Sequence, residues 1–325
     1  MSCGSTNADQ LGIGSGVFPG PFLRKGTAMQ AGWFEKVKRG PFFWLLPMAG
    51  VLLLFRLYPM FEAIRLSLTD ASMVRPMARY VGLDTFSRIV SDFRFLQIVQ
   101  ATAIFVVSCI VLQLCLGLAT AVLIKTGLDL KLRGTLFVRG SILVTWIIPG
   151  IVIGLIWRIL LMEGRYGIVN YLLTLLGFET VAFLSAANPA MVSIIVANTW
   201  RGTAFSMIMQ FAGLQRIPEQ LYESARVDGA NFLQQFLFVT LPQMRNIIFI
   251  NLVLITIYTF NLFDMIIPLT GGGPGTATEV IALSLYRRAF SRFDLSGAAA
   301  LGVLMLGINM IMAVVYYRFL VRDDS

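Results

Sequence analysis

The sequence predicts an all-α integral membrane protein with six transmembrane helices. Of its 325 residues, 57% are apolar and only 13% are charged, whereas a soluble domain carries about 25% charged residues. A helix needs roughly 20 predominantly apolar residues to cross a bilayer. Six stretches approach that length, at residues 42–67, 97–124, 136–161, 190–214, 246–268 and 297–320.

The distribution of basic residues predicts how these spans are oriented. The net charge is +9, and Lys and Arg form short clusters between the apolar stretches, a pattern typical of membrane topology and not of a nucleic-acid-binding face. Basic residues are more numerous on the side that holds the N-terminus, so both termini are expected in the cytoplasm. We therefore divide the chain into a cytoplasmic N-terminal tail over residues 1–40, expected to be disordered, and a six-helix transmembrane domain over residues 41–325.

Metal and catalytic chemistry are not expected on this chain. It has no His, which is the commonest metal ligand. Cys3 lies in the polar tail, and Cys109 and Cys115 lie six residues apart in an apolar run, so we interpret all three as free thiols. No G-x-x-x-x-G-K-[ST] phosphate-binding loop occurs, which is the usual site for nucleotide phosphates. We predict no catalytic residue, no metal site and no cofactor on this chain.

An amphipathic segment, YESARVDGANFLQQFLFVTLP at residues 222–242, interrupts the apolar stretches on the cytoplasmic side. A short helix is predicted over residues 219–227, because Pro218 precedes it and Glu, Leu, Ala and Arg favour helix. Asp228-Gly229 is expected to end that helix, since Gly tolerates the backbone angles found there. A second short helix is expected up to Leu241-Pro242, so that residues 215–245 form a helix–turn–helix on the membrane surface.

The spacing in this segment resembles the signature loop of permease subunits in bacterial ATP-binding-cassette (ABC) importers. The family pattern is Glu-Ala-Ala, three residues, Gly, nine residues and Ile-x-Leu-Pro, and the segment matches it with two conservative departures, Ser224 and Val239. Other stretches, such as RLYPMFEAIRLSLTD, NTWRGTAF and FDMIIPLTGGGPGTATEVIALSLYRRAF, resemble first permease subunits of the sugar-transporting branch. The resemblance implies a type I ABC importer (MetI-like) permease fold. It also implies an ATPase-coupling role for Glu223, Ser224, Ala225, Asp228, Gly229, Leu241 and Pro242.

The same resemblance implies partners and a location. The loop would dock on an ABC ATPase that is present in two copies, and the chain would pair with a second, different permease subunit. An extracytoplasmic solute-binding protein would deliver the solute, and the assembly would lie in the bacterial cytoplasmic (inner) membrane, in contact with lipid. The expected function is that of a permease subunit for carbohydrate import, not an enzyme. An ordinary amphipathic segment at the membrane surface is the alternative interpretation of the loop.

Polar residues inside membrane spans are costly and are therefore candidates for function. Sugar recognition needs amides and hydroxyls for hydrogen bonds and aromatic faces for stacking, and the fourth and fifth spans carry both. The candidate substrate-pathway residues are Asn198, Arg201, Gly202, Phe205, Tyr258, Thr259, Asn261 and Asp264. Other roles stay open: Asn198 and Asn261 could join helices, Phe205 and Tyr258 could be core residues, and Asp264 is one possible partner for the Arg201 guanidinium.

Two glycine motifs complete the pattern. LTGGGPGTAT at residues 269–278 is expected to be a flexible outer loop, and the resemblance implies that it meets the solute-binding protein. The residues expected at that contact are Gly271, Gly272, Gly273 and Pro274. Gly150 and Gly154 form a G-x-x-x-G step in the third span, which we interpret as close packing between helices.

An ion-coupled secondary transporter of a small polar solute is the alternative function. Such proteins usually contain repeated halves and intramembrane acids that bind the coupling ion. The sequence shows no internal repeat, and only Asp264 and Glu62, near a span end, could serve as such acids. A membrane anchor, the third possibility, would leave the polar fourth and fifth spans unexplained.

Overall fold

The computed structural model describes residues 41–74 and 78–323, and within these ranges the chain is helical and contains no strand. An isolated β-bridge joins Thr69 to Tyr80. The prediction of an all-α protein is confirmed, and the predicted tail over residues 1–40 lies outside the described residues. Contacts divide the chain into two units, one ending at Met60 and one beginning at Phe61, and each is described by itself.

The described part of the first unit is one run of helix. Helix α1 (Pro41–Leu52) continues into a π-helical turn (Leu53–Leu57), and α2 (Tyr58–Ser67) follows without a break. The stretch Trp44–Ser67 is long and apolar enough to cross a membrane, in agreement with the first predicted span. No side chain from Trp44 to Met60 is buried, as expected of a helix whose solvent is lipid.

The second unit carries the remaining predicted spans. Its α-helices are α3 (Asp84–Val90), α4 (Phe93–Asp129), α5 (Thr135–Ile147), α6 (Gly150–Leu160), α7 (Ile168–Leu175), α8 (Ala187–Leu214), α9 (Glu219–Val227), α10 (Phe232–Gln235), α11 (Leu241–Phe260), α12 (Ile266–Leu269), α13 (Ile281–Phe290) and α14 (Leu295–Asp323). A 3-10 turn (Gly164–Tyr166) and a second π-helical turn (Phe236–Thr240) also occur.

Several of these helices have the length and composition of membrane spans. Four stretches of the described residues qualify: Trp44–Ser67, Phe93–Asp129, Phe232–Phe260 and Leu295–Arg318. The third predicted span is bent by 105° between α5 and α6, and that pair is a fifth if it is counted as one span. The bend falls at Ile148-Pro149, because a residue that precedes Pro avoids the helical backbone region; ψ is 129° at Ile148 and 141° at Pro149.

The fourth predicted span corresponds to the 28-residue helix α8. It is long enough to cross a membrane but is not apolar enough to be one of the four stretches above. The reason is its polar residues, such as Asn198, Arg201 and Gln210. More than half of its residues are buried inside the protein, so these polar side chains lie against neighbouring helices. The six-span topology stays a prediction, with α8 as its fourth member.

The predicted helix end at Leu241-Pro242 is wrong. Helix runs unbroken from Phe232 to Phe260, through α10, the second π-helical turn and α11. Pro242 lies in the first turn of α11, and the π-helical turn before it is a known way for a helix to accommodate a local irregularity. The Leu241 N–H accordingly bonds to the carbonyl of Phe236, five residues earlier.

The predicted bounds of the fifth span, 246–268, are also wrong. The helix begins well before residue 246 and ends at Phe260, where Asn261 is the C-cap. Asp264 therefore lies beyond the helix, in the turn that leads to α12. The local cause is at Asn261, whose side-chain Nδ2 donates to the carbonyl of Ile257 at 2.7 Å.

Two apolar clusters and a polar layer between them hold the second unit together. The larger cluster includes Phe105 of α4 and Ile194 of α8, and the smaller one includes Ile124 of α4 and Phe211 of α8. These pairs show that α4 and α8 pack along much of their length.

The polar layer joins α8 to α4 and α11. Ser206 Oγ accepts hydrogen bonds from Gln210 Nε2 at 2.9 Å and from Asn251 Nδ2 at 2.8 Å, and Gln210 also donates to Leu114 O at 3.0 Å. Gly117 makes room for this layer, because a Cβ there would lie only 2.5 Å from Ser206 Cβ. Small residues and interhelical hydrogen bonds are the usual means of joining helices in lipid.

Candidate functional site

Three aromatic rings meet beside the break between α5 and α6. Trp146, near the end of α5, stacks on Phe205 of α8, with ring centroids 5.0 Å apart and an interplanar angle of 25°. Tyr258 of α11 lies 5.4 Å from Trp146, centroid to centroid, and is 57% exposed. The rings border a small cavity of about 20 Å³. Its lining is completed by Gln113, Asn198, Arg201, Gly202, Ile255, Thr259 and Leu262.

One amide that lines this cavity has an unused donor. Asn198 is 3% exposed, and its Nδ2 atom is buried without a hydrogen-bond partner among the described residues. Its backbone carbonyl accepts from Gln113 Nε2 at 3.3 Å. Leaving a buried donor without an acceptor costs about 1–3 kcal/mol. A movement of the amide that brought Nδ2 to an acceptor in the cavity would therefore be favoured.

Arg201 is a partly paired cation at the same cavity. Its Nη1 lies 3.9 Å from Asp264 Oδ2, so the predicted possibility of this pair is confirmed. The guanidinium carbon lies 5.7 Å from the centroid of the Trp146 ring, within the range of a cation–π interaction. The Nε atom is buried and has no partner in the described ranges. The arrangement leaves guanidinium N–H groups for a hydroxyl or an anionic acceptor.

The glycine step in the third span positions Asp264. A Cβ at Gly150 would lie 2.5 Å from the carboxylate carbon of Asp264, and a Cβ at Gly154 would lie 2.5 Å from Pro268 Cγ. The predicted role of these glycines in close packing is confirmed: their partner is the segment from Asp264 to α12, which lies against α6.

Six of the eight predicted substrate-pathway residues line the cavity, namely Asn198, Arg201, Gly202, Phe205, Tyr258 and Thr259. Asp264 contacts the cavity only through Arg201. Asn261 does not line it: its amide pairs with the amide of Asn309 on α14, at 3.5 Å and 3.4 Å. For Asn261, the geometry agrees with the alternative of a residue that joins helices.

Sequence reasoning missed Gln113 and Trp146 as cavity residues. Both lie in predicted spans, but neither belongs to the two spans that carry the polar candidates. The Pro149-Gly150 pair was the available signal for Trp146. It predicts a break within an apolar run, and Trp146 lies three residues before that break. No comparable signal marks Gln113.

The 215–245 loop begins as predicted. Helix α9 (Glu219–Val227) follows Pro218 and ends in a Schellman motif, in which the N–H of Ala230 bonds to Ala225 O at 2.9 Å and the N–H of Gly229 bonds to Arg226 O at 3.1 Å. Gly229 has φ of +80°, a left-handed conformation that favours glycine at this position. The geometry gives a physical reason for one of the matched positions, Gly229.

A tight turn leads from α9 into the long helix. Asn231 forms a capping box with Gln234, which satisfies the first N–H groups of α10. Leu241 and Pro242, the last two predicted loop residues, lie past the π-helical turn in α11. They are therefore part of a membrane-spanning helix and not the end of a second surface helix.

Two acidic residues of the loop face outwards. Glu223 and Asp228 are exposed, and neither side chain makes an ion pair or a hydrogen bond within the described residues. Ser224 Oγ bonds to Gln220 O at 2.9 Å, and Arg226 pairs with Glu219. The two unpaired carboxylates are thus available to another molecule.

The loop at residues 269–278 is not the flexible segment that its glycines suggested. Thr278 Oγ1 donates to Gly273 O at 2.8 Å and lies 2.8 Å from Thr270 Oγ1. Arg287 donates to Gly271 O and pairs with Glu279 at 3.0 Å. Hydrogen bonds across the loop therefore hold it in one conformation. Gly271, Gly272 and Gly275 adopt the positive φ values that its turns need. Gly272 is buried, and Gly271, Gly273 and Pro274 are half-buried.

Comparison with known proteins identifies the family. The family described as binding-protein-dependent transport system inner membrane component matches residues 113–322. The chain belongs to this family.

Two relatives extend the match over most of the chain. The trehalose/maltose transport system permease of Thermococcus litoralis is 31% identical, over 88% of this chain and 94% of its own length. The sulfoquinovosyl glycerol transport system permease of Agrobacterium fabrum is 31% identical, over 86% and 90%. A chain of the crystal structure of a bacterial alginate ABC transporter superposes with a TM-score of 0.74 at 22% identity, over 87% and 95%, which shows a shared fold.

Family membership establishes the location, the fold and the general role of the protein. This permease is a multi-pass inner-membrane protein with the MetI-like permease fold, and it is a transport component rather than an enzyme. It acts in a transporter complex that uses a solute-binding protein. An autonomous ion-coupled secondary transporter and a membrane anchor are set aside on the same ground.

Proposed function

We propose that this permease forms half of the translocation pore of an ATP-driven carbohydrate importer. The observation that carries the proposal is the cavity bordered by Trp146, Phe205 and Tyr258. Asn198 and Arg201 also line it, and each has a buried N–H group without a partner among the described residues. Aromatic faces beside a few converging polar groups are typical of sites that bind small molecules.

The chemistry of this cavity suits a sugar. A pyranose ring presents an apolar face of C–H groups and a rim of hydroxyls. Trp146 and Tyr258 would take the apolar face, and the Asn198 amide and the Arg201 guanidinium would donate to hydroxyl or acidic oxygens. The cavity of about 20 Å³ is too small for a sugar, so the pore helices must separate before a substrate enters.

The names of relatives support the same solute class. Besides the trehalose/maltose and sulfoquinovosyl glycerol permeases, the sn-glycerol-3-phosphate transport system permease of Rhizobium meliloti is 29% identical over 86% of this chain. Sugars and sugar-like polyols, neutral or acidic, are what these names have in common. A neutral and an acidic sugar should therefore both be tested on this chain.

The 215–245 loop would connect the pore to the energy source. Glu223 and Asp228, exposed and unpaired, would pair with basic residues on a separate ATPase, which is present in two copies and binds ATP and Mg²⁺. The outer loop at Gly271–Pro274 would lie near the docked solute-binding protein, and a second, different permease would complete the pore. We expect no cofactor on this chain and both termini in the cytoplasm.

The mechanism follows from differential contacts in two global states. The loaded binding protein docks outside, ATP closes the ATPase pair, and the loops move with it. The pore helices then open towards the binding protein, and the sugar transfers to the Trp146–Phe205–Tyr258 cavity. Hydrolysis on the partner returns the pore to its cytoplasm-facing state.

A pull-down from native membranes in mild detergent tests the proposal. Tagged wild-type chain should bring down a second permease and an ATPase. Glu223→Lys and Gly229→Asp, which alter the exposed face of the loop and its left-handed turn, should lose the ATPase but keep the permease. The reconstituted wild-type complex should take up one or more sugars with ATP and binding protein. A lone wild-type chain that moves solute into liposomes without ATP would refute the proposal.

A further inference from the structure

Helix α9 is joined to the long helices by the backbone turns at its two ends and by the contacts of one side chain. None of its residues is buried, and none belongs to either apolar cluster. Among the described residues, the hydrogen bonds and ring contacts that link α9 to the long helices are all made by Tyr222. Its hydroxyl lies 2.9 Å from Thr240 Oγ1, and its ring lies under the Lys125 ammonium, 4.6 Å from Nζ to centroid.

A cavity lies beside this link, and both Tyr222 and Thr240 line it. Its volume is about 180 Å³, several times that of the cavity beside Trp146. Its walls are the last turns of α4, the inner face of α9 and the start of the long helix at Phe232. Glu219 and Arg226 face this space and pair with each other, so they add no bond from α9 to α4 or α11.

Both partners of Tyr222 lie on helices that reach the aromatic cavity. Thr240 ends the π-helical turn and is continuous with α11, which carries Tyr258 some 18 residues on, or about 27 Å along a helix. Lys125 lies on α4, the helix that carries Gln113. A displacement of Tyr222 would thus act on two of the helices that line the aromatic cavity.

The hydrogen bond reaches the π-helical turn. Thr240 is the last residue of that turn, and its Oγ1 lies 2.9 Å from the Tyr222 hydroxyl, with either oxygen able to donate. The bond therefore ties α9 to the π-helical turn itself, and turns of this kind occur frequently at functional sites.

We propose that the Tyr222–Thr240 contact is the mechanical link through which movement of the 215–245 loop reaches the pore helices, and that Tyr222 is a positioning residue for transport. The inference rests on the proposed function, since it needs an ATPase that moves the loop. Because a cavity separates part of α9 from the end of α4 and the start of the long helix, α9 can shift against the π-helical turn unless this contact holds it. Loss of the contact should weaken the transmission of loop movement to the pore, since the backbone turns at the ends of α9 then carry more of it.

The test uses the complete transporter in proteoliposomes, with binding protein and sugar. Tyr222→Phe removes only the hydroxyl, and Thr240→Val removes its partner with little change in volume. One hydrogen bond should change the coupling by about 2- to 10-fold. Each variant should lower sugar uptake per ATP hydrolysed by that factor, and the double variant should be no worse than either single one, because both remove the same bond.

Tyr316→Phe is a matched control. Tyr316 makes the same kind of Tyr–Thr contact, 3.1 Å from Thr256 Oγ1, but joins α14 to α11 and not the loop to the pore. This variant should keep wild-type uptake per ATP. Pull-down of the ATPase should be equal for all four proteins and the wild type.

The outcomes separate the two proposals. If the wild-type complex shows no ATP-dependent sugar uptake, the proposed function fails and the inference fails with it. If the wild type transports while Tyr222→Phe behaves as Tyr316→Phe does, the inference alone is wrong. Additive losses in the double variant would contradict a shared bond. Loss of the ATPase from Tyr222→Phe would also overturn the inference, because Tyr222 would then be needed for docking and not for transmission.

Discussion

Gly202→Ala is a sharp test of how the pore is packed. Gly202 lies on α8 opposite Gln113, and a Cβ there would lie 2.6 Å from Gln113 Nε2, and closer to the other atoms of the same amide. The Gln113 amide must therefore move. It is 3% exposed and donates to Asn198 O at 3.3 Å, so its movement breaks that bond inside the protein.

The magnitude follows from three contributions. The broken hydrogen bond was worth about 0.5–1.5 kcal/mol, and a buried amide without a partner costs about 1–3 kcal/mol. Ala is better than Gly in a helix interior by up to about 1 kcal/mol. The net change expected for Gly202→Ala is a loss of roughly 1–3 kcal/mol.

Gly140→Ala is the matched control. Gly140 lies inside α5, and a Cβ there would meet no atom within 4 Å, so only the helix-propensity gain should remain. Apparent melting temperature of the purified complex, followed by intrinsic Trp fluorescence, should fall for Gly202→Ala and stay level or rise for Gly140→Ala. Sugar uptake should fall in the first variant alone.

A second variant isolates the cause. Gln113→Ala removes the side chain that the new methyl would meet, so Gly202→Ala should be neutral or stabilising in that background. The two substitutions should therefore be strongly non-additive, as expected of residues in direct contact. Equal stability of Gly202→Ala and Gly140→Ala, or simple additivity with Gln113→Ala, would refute the reasoning.

Two further predictions concern the bent helix pair. Gly154→Ala should destabilise the protein by about 1–3 kcal/mol, as overpacking does, because its Cβ would meet the backbone carbonyl of Met265, which cannot rotate away; a melting temperature equal to that of wild type would contradict this. Trp146→Leu should lower the maximum rate of sugar uptake more than Trp146→Phe does, since only the second keeps an aromatic face beside Tyr258, and equal rates in proteoliposomes would exclude a stacking role.

Local features of the fold could be predicted from the sequence. The helix over residues 219–227 and its end at Gly229 were correct, because Pro before a helix and Gly after it act through their own backbone angles. The close approach at Gly150 and Gly154 was likewise correct, since small residues at this spacing have one common use in lipid. Such signals involve a residue and its near neighbours along the chain.

Features that depend on distant partners could not be predicted. Pro242 suggests a helix end, yet the π-helical turn at Phe236–Thr240 lets the helix continue. The glycines at 271–273 suggest flexibility, yet Arg287 and Thr278 bond across the loop. In each case the deciding group lies elsewhere or in an irregular turn that carries no sequence pattern.

The candidate site was predicted in part for the same reason. Polar residues on α8 and α11 are conspicuous in apolar spans, and most of those chosen do line one cavity. Trp146 and Gln113 were missed because the spans that carry them contain no cluster of polar residues. Asn261 was included because its amide is conspicuous too, although Asn309 of α14 is its partner.

The polar residues of α8 divide into two sets according to what faces them. Ser206 and Gln210 bond to each other, to α4 and to α11, and they hold three helices together. Asn198 and Arg201, one to two turns nearer the N-terminus, keep buried N–H groups without acceptors. An Arg guanidinium costs more in lipid than an amide or a hydroxyl, and each set has an unpartnered buried atom, since Gln210 Oε1 also lacks a partner among the described residues. The difference is that only Asn198 and Arg201 leave N–H donors unused. A donor that packing leaves unused, beside an aromatic wall, is stabilised only when a molecule with acceptors arrives. The polar layer that joins the helices thus lies directly next to the part of the pore whose unused donors could bind a carbohydrate.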